Sequence, residues 1–198
     1  MKVLDLFCGT KSLEKILKPT DEYIGLDIEE KFNPQICIDF LEWDYKTVSP
    51  DIIWASPDCA VYSIASRSHH FGKDRIPKTE KANKQLKILE KLKQCINYHK
   101  ETNPNLIFFI ENPTARMSWF INEYPRYDVS YCKYGFDRMK PTTIWTNKKC
   151  FIPQKCKNGN IECHHLKTPR GCKTHGTQAI KKSERYKVPE LLLKELIY

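Results

Sequence analysis

Two side chains capable of covalent chemistry follow apolar runs that are typical of buried strands. Cys59 lies just past the run 51–55, in a turn stiffened by Pro57, and Glu111 directly follows the run 105–110. A cysteine thiolate is a strong nucleophile, and burying a carboxylate is costly unless it faces a cleft or has partners. The pair predicts a thiol that attacks an electron-poor ring while the glutamate acts as a hydrogen-bonding acid, although a buried turn cysteine is the alternative for Cys59.

The strands expected to hold these groups alternate with helices along the chain. This alternation implies a parallel sheet with helices on both faces, so we predict an α/β protein with a Rossmann-like sheet. Ligands bind at the carboxyl ends of such strands, which places both groups at one edge. The predicted strands are 3–7, 23–28, 35–38, 51–55, 105–110, 127–131 and 142–145, the last two antiparallel at the sheet edge; the predicted helices are 12–17, one with Leu86, Leu89, Leu92 and Ile96 on one face, and 189–196.

Glycine and acidic residues at the ends of three successive predicted strands favour an adenosine cofactor. Gly9 permits close backbone approach after the first strand, and Asp27 can accept from both ribose hydroxyls after the second. The dinucleotide fingerprint G-x-G-x-x-G and a Walker lysine loop are both absent from the sequence, which makes S-adenosylmethionine the best fit. The predicted cofactor-binding residues are Asp5, Phe7, Gly9, Thr10, Ser12, Asp27, Ile28, Asp39, Phe40, Ser56 and Pro57.

Composition is consistent with one folded domain spanning residues 1–198 and containing an irregular Cys/His-rich insertion at 148–176. Nine cysteines without a secretion signal argue against a disulfide scaffold. No apolar run is long enough to span a bilayer, so we expect a cytoplasmic protein with no membrane partner. The net charge of +9 fits a phosphate-rich partner such as nucleic acid.

The cysteine and the glutamate together predict a specific sequence of steps on a pyrimidine ring. The Cys59 thiolate adds to C6, while Glu111 holds and protonates N3, so that negative charge does not accumulate on the ring. The C5 carbon becomes nucleophilic enough to take a methyl group, and loss of the C5 proton then expels the cysteine. Covalent catalysis of this kind divides one difficult step into easier ones.

Four motifs in this order resemble those of the cytosine-C5 DNA methyltransferases, and nearly the whole chain resembles small phage-type members. Asp-Leu-Phe-Cys-Gly at 5–9 is similar to the first cofactor motif, and Pro-Asp-Cys-Ala-Val-Tyr-Ser at 57–63 to the Pro-Pro-Cys-x-x-Phe-Ser nucleophile loop. Glu-Asn-Pro at 111–113 resembles the Glu-Asn-Val acid motif, and 134–140 stands in place of Tyr-Gly-x-Pro-Gln-x-Arg. The resemblance implies methyl transfer from S-adenosylmethionine to cytosine in DNA, with Ser63 and Arg138 supporting the base or its phosphate.

This sequence also departs from the family pattern. Asp58 replaces the second proline of the nucleophile loop, Ala60 stands in place of glutamine, and Pro113 replaces valine. The segment 148–176 is too short for the target-recognition domain of larger members. We therefore expect weak sequence specificity, a very short site or an unusual substrate. A duplex substrate would require flipping the cytosine out of the stack, and a single strand would not.

Basic residues follow the predicted nucleophile closely. They could position a DNA strand through its phosphates without reading bases, and a solvated basic loop is the alternative. The residues predicted to contact nucleic acid are Arg67, Lys73, Arg75, Lys78 and Lys140.

A second group of cysteines and histidines crowds into a segment with few apolar residues. Such a segment needs another source of order, and zinc held by thiolates and imidazole is a common one. We predict Cys156, Cys163 and His164 as ligands, with the fourth from Cys150, Cys172 or Cys132, and reduced surface cysteines as the alternative.

Three other functions fit the same sequence. The Ser-Pro-Asp-Cys turn at 56–59 loosely resembles the loop of amino-methyltransferases, which need no cysteine. The short recognition segment leaves room for methylation of free nucleotides. An inactive DNA-binding protein that retained the fold is the third alternative. The resemblance suggests a phage, viral or bacterial context.

Overall fold

The computed structural model describes residues 1–64, 66, 69–169 and 177–198. Those residues form a mixed sheet of seven strands in the order β3-β2-β1-β4-β5-β7-β6. The first five strands in this order are parallel, and β7 is antiparallel to both β5 and β6. The strands are β1 (Lys2–Leu6), β2 (Glu22–Asp27), β3 (Ile36–Cys37), β4 (Ile52–Ala55), β5 (Ile107–Pro113), β6 (Arg126–Ser130) and β7 (Pro141–Thr146).

The central strands are apolar on both sides because both faces of the sheet are covered. Leu4, Ile53 and Phe108 point into one core layer, and their neighbours along the strands point into the other. Helix α1 (Glu80–Thr102) packs on the first layer and helix α3 (Glu190–Ile197) on the second. A short helix α2 (Lys182–Tyr186) precedes α3. This arrangement confirms the predicted α/β Rossmann-like fold.

Helix α1 connects β4 to β5 and has clear signals at both ends. The Thr79 side chain accepts from the amide of Ala82 at the first turn, and Asn103 closes the last turn through the carbonyl of His99. Leu89, Leu92 and Ile96 are buried against the sheet, as the helical period predicts. The helix therefore begins just after the predicted nucleophile loop and its basic continuation.

The structure corrects two predicted boundaries. In place of a helix over 12–17 there is only a 3-10 turn, Glu14–Ile16, because Lys11 adopts a left-handed conformation and Pro19 prevents helical continuation. Strand β5 does not end at Ile110 but continues to Pro113, because Glu111–Pro113 pair with β7. Glu111 consequently lies within a strand and not after one.

The remaining chain packs against these elements without adding to the sheet. In the described part of the Cys/His-rich segment, residues 148–169, no helix or strand is present. None of the described helices is both long enough and apolar enough to span a membrane.

Candidate active site

The nucleophile loop and the acid lie at the same end of two adjacent parallel strands. The last residue of β4, Ala55, pairs with Ile110, so that Glu111 is one residue beyond the paired end of β4. The loop is tied to β5 directly, because the Asn112 side-chain amide donates to the carbonyl of Pro57 at 2.9 Å. The sheet therefore brings Cys59 and Glu111 to one edge, as the sequence predicts.

Glu111 is buried and is held by two side chains from the β6–β7 connection. The Tyr131 hydroxyl donates to Glu111 Oε1 at 2.8 Å. Lys140 Nζ lies 4.0 Å from the same oxygen and 4.5 Å from the centre of the Tyr131 ring. Burial and the Glu111 charge hold the pKa of Tyr131 well above its usual value, so the phenol keeps its proton and remains the donor.

Cys59 is partly buried, and its surroundings oppose ionisation. Burial raises the pKa of the Cys59 thiol, the Glu111 and Asp58 charges raise it further, and Lys140 acts in the opposite direction. Asp58 is paired in turn with Lys81 Nζ at 2.9 Å. The thiol therefore carries a proton at neutral pH in this state of the protein.

Ser63 organises the nucleophile loop. Its hydroxyl accepts from the amide of Ser66 at 3.2 Å, and the Ser66 hydroxyl donates back to the Ser63 carbonyl at 3.0 Å. The amide of Arg116 donates to the carbonyl of Tyr62, the neighbouring residue, at 3.2 Å. The loop is thus fixed by its own serine pair and by the segment that follows β5.

Three buried polar atoms in these segments have no hydrogen-bond partner among the described residues: Asn112 Oδ1, Arg116 Nη1 and Arg138 Nε. Buried polar groups are normally paired, so such atoms are available to a ligand. Arg138 was predicted from the family motif, whereas Arg116 was not. Its only sequence signal is its position five residues after Glu111.

At the cofactor end, Asp27 fastens the glycine turn to the end of β2. Its carboxylate accepts from the amides of Gly9 and Glu29, each at 2.9 Å. Phe7 and Gly9 both have positive φ, and a Cβ placed on Gly9 would meet only the Phe7 carbonyl, at 3.9 Å. Ile28, next to Asp27, is 59% exposed. The turn is therefore open on one side and is flanked by an apolar side chain and a carboxylate.

Other predicted cofactor residues are turned into the protein. Asp5 is buried and accepts from the Tyr23 hydroxyl at 2.9 Å, and burial raises its pKa to about 7. The Phe40 ring is buried and lies 5.1 Å from that of Phe7. Their places in the fold indicate support of the turn, which differs from the direct contact predicted for them.

The remaining predicted cofactor residues border the same edge. Asp39 accepts from Lys84 Nζ at 2.6 Å and from the amide of Leu41. Ser12 lies 3.4 Å from Thr10, hydroxyl to hydroxyl, and accepts from the amide of Val188. The Ser56 hydroxyl accepts from the Trp54 indole at 2.8 Å, next to Pro57. The structure thus gathers these side chains around the carboxyl ends of β1 to β4.

Comparison with known proteins gives one decisive relative. No protein-family model matches the chain. The chain is 31% identical, over 219 aligned positions, to the probable DNA (cytosine-5)-methyltransferase of Frog virus 3 (isolate Goorha), an alignment that covers 100% of this chain and 99% of the relative. The chain belongs to the DNA (cytosine-5)-methyltransferase family.

Solved methyltransferase structures also resemble the chain, at lower identity. The Entamoeba histolytica methyltransferase EhMeth is 15% identical with a TM-score of 0.44, over 79% of this chain and 57% of that one. The S. pombe Dnmt2 methyltransferase is 15% identical with a TM-score of 0.46, over 77% of this chain and 53% of that one. This methyltransferase thus spans about half the length of the solved structures it matches.

The basic residues of this methyltransferase occupy two different environments. Lys73, Arg75 and Lys78 are all exposed, as expected of phosphate contacts, and Arg67 lies outside the described residues. Lys140 is different: its side chain is 12% exposed, beside Glu111, and its Nζ donates to the carbonyl of Arg185 at 3.0 Å. This placement corrects the prediction for Lys140, because its ammonium group is enclosed within the active site.

A cluster of potential metal ligands includes Cys132, the residue that follows Tyr131. One ligand atom from each of Cys132, Cys156, Cys163 and His165 lies within 4.8 Å of the others; we call these four residues the Cys3His cluster. Cys132 belongs to the 3-10 helix Tyr131–Tyr134, and the others come from the irregular segment. Cys132 was one of three residues considered for the fourth position.

The predicted ligand His164 is wrong in this geometry, and its neighbour takes the place. His164 Nε2 lies 2.9 Å from the carbonyl of Phe136, whereas the buried His165 places Nδ1 3.8 Å from Cys156 Sγ. The contact of His164 with Phe136 holds that imidazole away from the three thiols, so His165 joins the cluster in its place. Cys150 is exposed and outside the cluster, and Cys172 lies outside the described residues.

The donor set and spacing of the Cys3His cluster suit zinc. In a tetrahedral site with bonds of about 2.0–2.3 Å, the donor atoms stand roughly 3.3–3.8 Å apart. The four donor atoms of the cluster, which lie within 4.8 Å of one another, would need to move together only slightly. Hydrogen bonds from the backbone and side chain of His165 lower the pKa of Cys163 to about 6, while burial raises that of Cys132 to about 12. His165 faces the thiols through Nδ1, 3.8 Å from Cys156 Sγ, and its other ring nitrogen, Nε2, is buried without a partner among the described residues.

Proposed function

We propose that this protein transfers a methyl group from S-adenosylmethionine to C5 of cytosine in DNA. We also propose that it acts in the cytoplasm of the host cell, in a phage, viral or bacterial context. The observation that carries the proposal is the juxtaposition of Cys59 and Glu111 at adjacent strand ends, with Tyr131 and Lys140 fixed on the carboxylate. A thiol and a carboxyl group so placed match what covalent activation of a pyrimidine requires. Membership of the family supports the same reaction.

Cys59 would act as the nucleophile. Its sulfur forms a bond to C6 of the cytosine, and the electron pair of the C5–C6 double bond moves toward C5. Because the thiol is protonated in the present surroundings, its proton must leave as the base arrives, and the Glu111 carboxylate, whose charge already acts on the thiol, would accept it. Lys140, which lowers the pKa of Cys59, assists that loss. When the C5 proton is later removed, the carbon–sulfur bond breaks and the thiolate is regenerated.

Glu111 would hold the base through N3 and pass to that nitrogen the proton that it takes from Cys59. The Tyr131 hydroxyl engages Oε1, which fixes the rotation of the carboxyl group. A fixed carboxyl group aligned with N3 prevents negative charge from accumulating on the ring as sulfur adds to C6. Arg138 and Arg116, each with an unpaired buried nitrogen, are suited to the remaining acceptors of the nucleotide.

The open glycine turn would hold S-adenosylmethionine, which supplies an electrophilic methyl group on a sulfonium centre. Gly9 leaves room for close approach, and Ile28 offers an exposed apolar surface beside the Asp27 carboxylate. Asp27 already accepts from two backbone amides, so its remaining lone pairs are those available to a ribose hydroxyl. The edge of this cofactor site would be completed by Thr10, Ser12, Asp39, Ser56 and Pro57.

DNA would be positioned by the exposed basic residues after the nucleophile loop. Lys73, Arg75 and Lys78 are accessible to phosphates, and Arg67 belongs to the same stretch. Arg75 and Arg116 both lie over the Trp119 ring, at 5.8 Å and 4.9 Å from its centroid. The Trp119 ring thus connects the basic stretch to the segment that follows Glu111. A DNA phosphate bound by the basic stretch would therefore lie close to that segment.

We also propose that the Cys3His cluster binds one zinc ion. Three thiols and an imidazole are a common structural zinc set, and the irregular segment contains few apolar side chains to order it. Purified protein should contain about one zinc per chain, measured by elemental mass spectrometry after dialysis. Absence of bound zinc after growth in zinc-supplemented medium would contradict the proposal.

The reaction is tested by incubating the protein with labelled S-adenosylmethionine and unmethylated genomic DNA, then analysing the nucleosides by mass spectrometry. The expected product is 5-methylcytosine. N4-methylcytosine or a methylated adenine would overturn the Cys59 mechanism and identify an amino-methyltransferase. Cofactor binding without any product, on double-stranded DNA, single strands or free nucleotides, would identify an inactive binding protein.

A further inference from the structure

We propose that the Cys3His cluster is a positioning metal centre: the metal that it binds fixes the 3-10 helix Tyr131–Tyr134 and thereby holds the Tyr131 hydroxyl against Glu111. This inference rests on the proposed function. It assigns to the cluster an effect on the reaction, in addition to ordering the chain around it. Tyr131 and the three ligating thiols are positioning residues, because they act through Glu111.

The connection between the two sites is one peptide bond long. Cys132 follows Tyr131 in the same turn of 3-10 helix, and both side chains are buried. One side chain points to the metal ligands and the other places its hydroxyl 2.8 Å from Glu111 Oε1. A bond from the metal to the Cys132 sulfur therefore restrains the backbone that carries Tyr131.

The segment that supplies the other ligands is bonded to the same short helix. The backbone amide of Gln154 donates to the Tyr134 hydroxyl at 3.1 Å, and the backbone carbonyl of Gln154 accepts from the Ser130 amide at 2.9 Å. The Cys156 amide donates to the Ser130 hydroxyl at 3.0 Å. The metal ligands and the residues flanking Tyr131 thus form one hydrogen-bonded unit.

The segment has few other means of staying ordered. Asn158 and Thr168 close it through a reciprocal pair of hydrogen bonds at 2.7 Å and 2.9 Å. Phe151, at the start of the segment, packs on Tyr127, but the large apolar side chains beyond it are turned outward: Ile161 is 98% exposed and Leu166 is 54% exposed. With no apolar core of its own, the segment depends on the metal for a fixed position. Loss of the metal would therefore release the restraint on Cys132, and with it the backbone of the short helix that carries Tyr131.

Four variants separate this coupling from general destabilisation. Cys163→Ser removes one ligand at a partly exposed position, whereas Cys163→His restores a zinc-binding donor set and tests rescue. Cys150→Ser is the matched control, because Cys150 belongs to the same segment but lies outside the cluster. Tyr131→Phe removes only the hydroxyl that reaches Glu111. Zinc content is measured for every variant.

The kinetic test is a double-variant comparison of the single-turnover rate of methyl transfer. We expect Cys163→Ser and Tyr131→Phe each to lower this rate about tenfold at saturating cofactor and DNA, and the combined variant to be no slower than either alone. Cys163→His should recover most of the rate, and Cys150→Ser should match the wild type. Effects that multiply to about a hundredfold would overturn the coupling, since the metal would then act independently of Tyr131.

A second readout does not depend on methyl transfer. The near-ultraviolet circular dichroism of wild type minus that of Tyr131→Phe isolates the signal of the Tyr131 ring. This difference should be strong with zinc and weak after chelation, because a fixed ring becomes mobile. An unchanged difference would overturn the proposal even if no DNA substrate were methylated. Failure of the methylation reaction alone, with the zinc-dependent signal present, would count only against the proposed function.

Discussion

The two thiol-bearing regions of this methyltransferase place the same chemical group in opposite surroundings. Cys59 is a single thiol at the end of a regular parallel strand, where burial and the carboxylates of Glu111 and Asp58 raise its pKa. Cys163 lies in a segment without regular structure, where hydrogen bonds from His165 lower its pKa to about 6. The first thiol keeps its proton in the absence of substrate, whereas the second is readily available as a thiolate for a cation.

The two regions also differ in what holds them in place. The Cys59 loop is fixed by the sheet, through the Asn112–Pro57 hydrogen bond and the short connection from β4. The Cys3His cluster is assembled from distant parts of the chain, with Cys132 more than twenty residues before the other ligands. A preformed sheet edge suits a nucleophile that must align with a ring. A cluster of this kind gains its order from the metal.

The largest effect should come from the nucleophile. Cys59→Ala is expected to lower methyl transfer by at least about a thousandfold, because no covalent adduct can form. Binding of S-adenosylmethionine, measured by calorimetry, and zinc content should remain as in the wild type. Substantial activity in this variant would show that the chemistry does not use Cys59. A covalent complex with DNA containing 5-fluorocytosine, present in wild type and absent in the variant, is the complementary measurement.

Metal removal should affect stability rather than the nucleophile itself. A strong chelator is expected to lower the melting temperature of the wild type by about 5–10 °C, since losing a structural ligand costs a few kcal/mol in a chain of this size. The Cys163→Ser variant should start near the lowered value and show no further change with chelator. Equal melting temperatures with and without chelator would show that the cluster is a set of ordinary reduced cysteines.

The two regions were not equally predictable from sequence. The structure brings the loop and the acid to one sheet edge, as expected, because uninterrupted apolar runs identify parallel strands, and parallel strands bring their ends together. The continuation of β5 through Glu111 was missed because it depends on antiparallel pairing with β7, a contact that no local pattern encodes. Tyr131 was missed as a partner of Glu111 for the same reason.

The choice between His164 and His165 illustrates a different limit. Residues in a helix or strand reveal their orientation through periodicity, but an irregular segment has no period. We predicted His164, but no sequence pattern distinguishes it from His165, and only the tertiary positions of Phe136 and Cys156 separate the two. Likewise, the burial of Lys140 beside Glu111 depends on the fold, and no local sequence pattern around Lys140 indicates it.

A smaller effect tests the electrostatic part of the comparison. Asp58→Asn removes a charge that raises the pKa of Cys59, so the pH–rate curve should move to lower pH. At pH 7, below that pKa, more thiolate is present, and we expect the single-turnover rate to rise about two- to fivefold. The rate is measured across pH at saturating DNA and cofactor. Glu101→Gln, an exposed charge change at the far end of α1, serves as the control; an unmoved profile would contradict the assignment of Asp58.

The smallest expected effect is a decrease in the single-turnover rate, opposite to the increase expected for Asp58→Asn. Lys81 pairs with Asp58 at 2.9 Å, so Lys81→Ala leaves the Asp58 charge less compensated and raises the pKa of Cys59 further. Both side chains are substantially exposed, at 52% and 37%, and solvent screens the pair, so we expect a decrease of less than about twofold at pH 7. Lys100→Ala, in the last turn of α1, controls for the loss of a positive charge.

The two substitutions at this ion pair also test each other. If Lys81 acts on Cys59 only through Asp58, then Lys81→Ala should have no effect on the single-turnover rate in the Asp58→Asn background. A decrease that persists in that background would mean that Lys81 contacts DNA, which a change in the salt dependence of binding would show directly. The dependence of the rate change on Asp58 therefore distinguishes two roles of Lys81. If the change requires Asp58, Lys81 acts on the pKa of Cys59; if it does not, Lys81 contacts the DNA substrate.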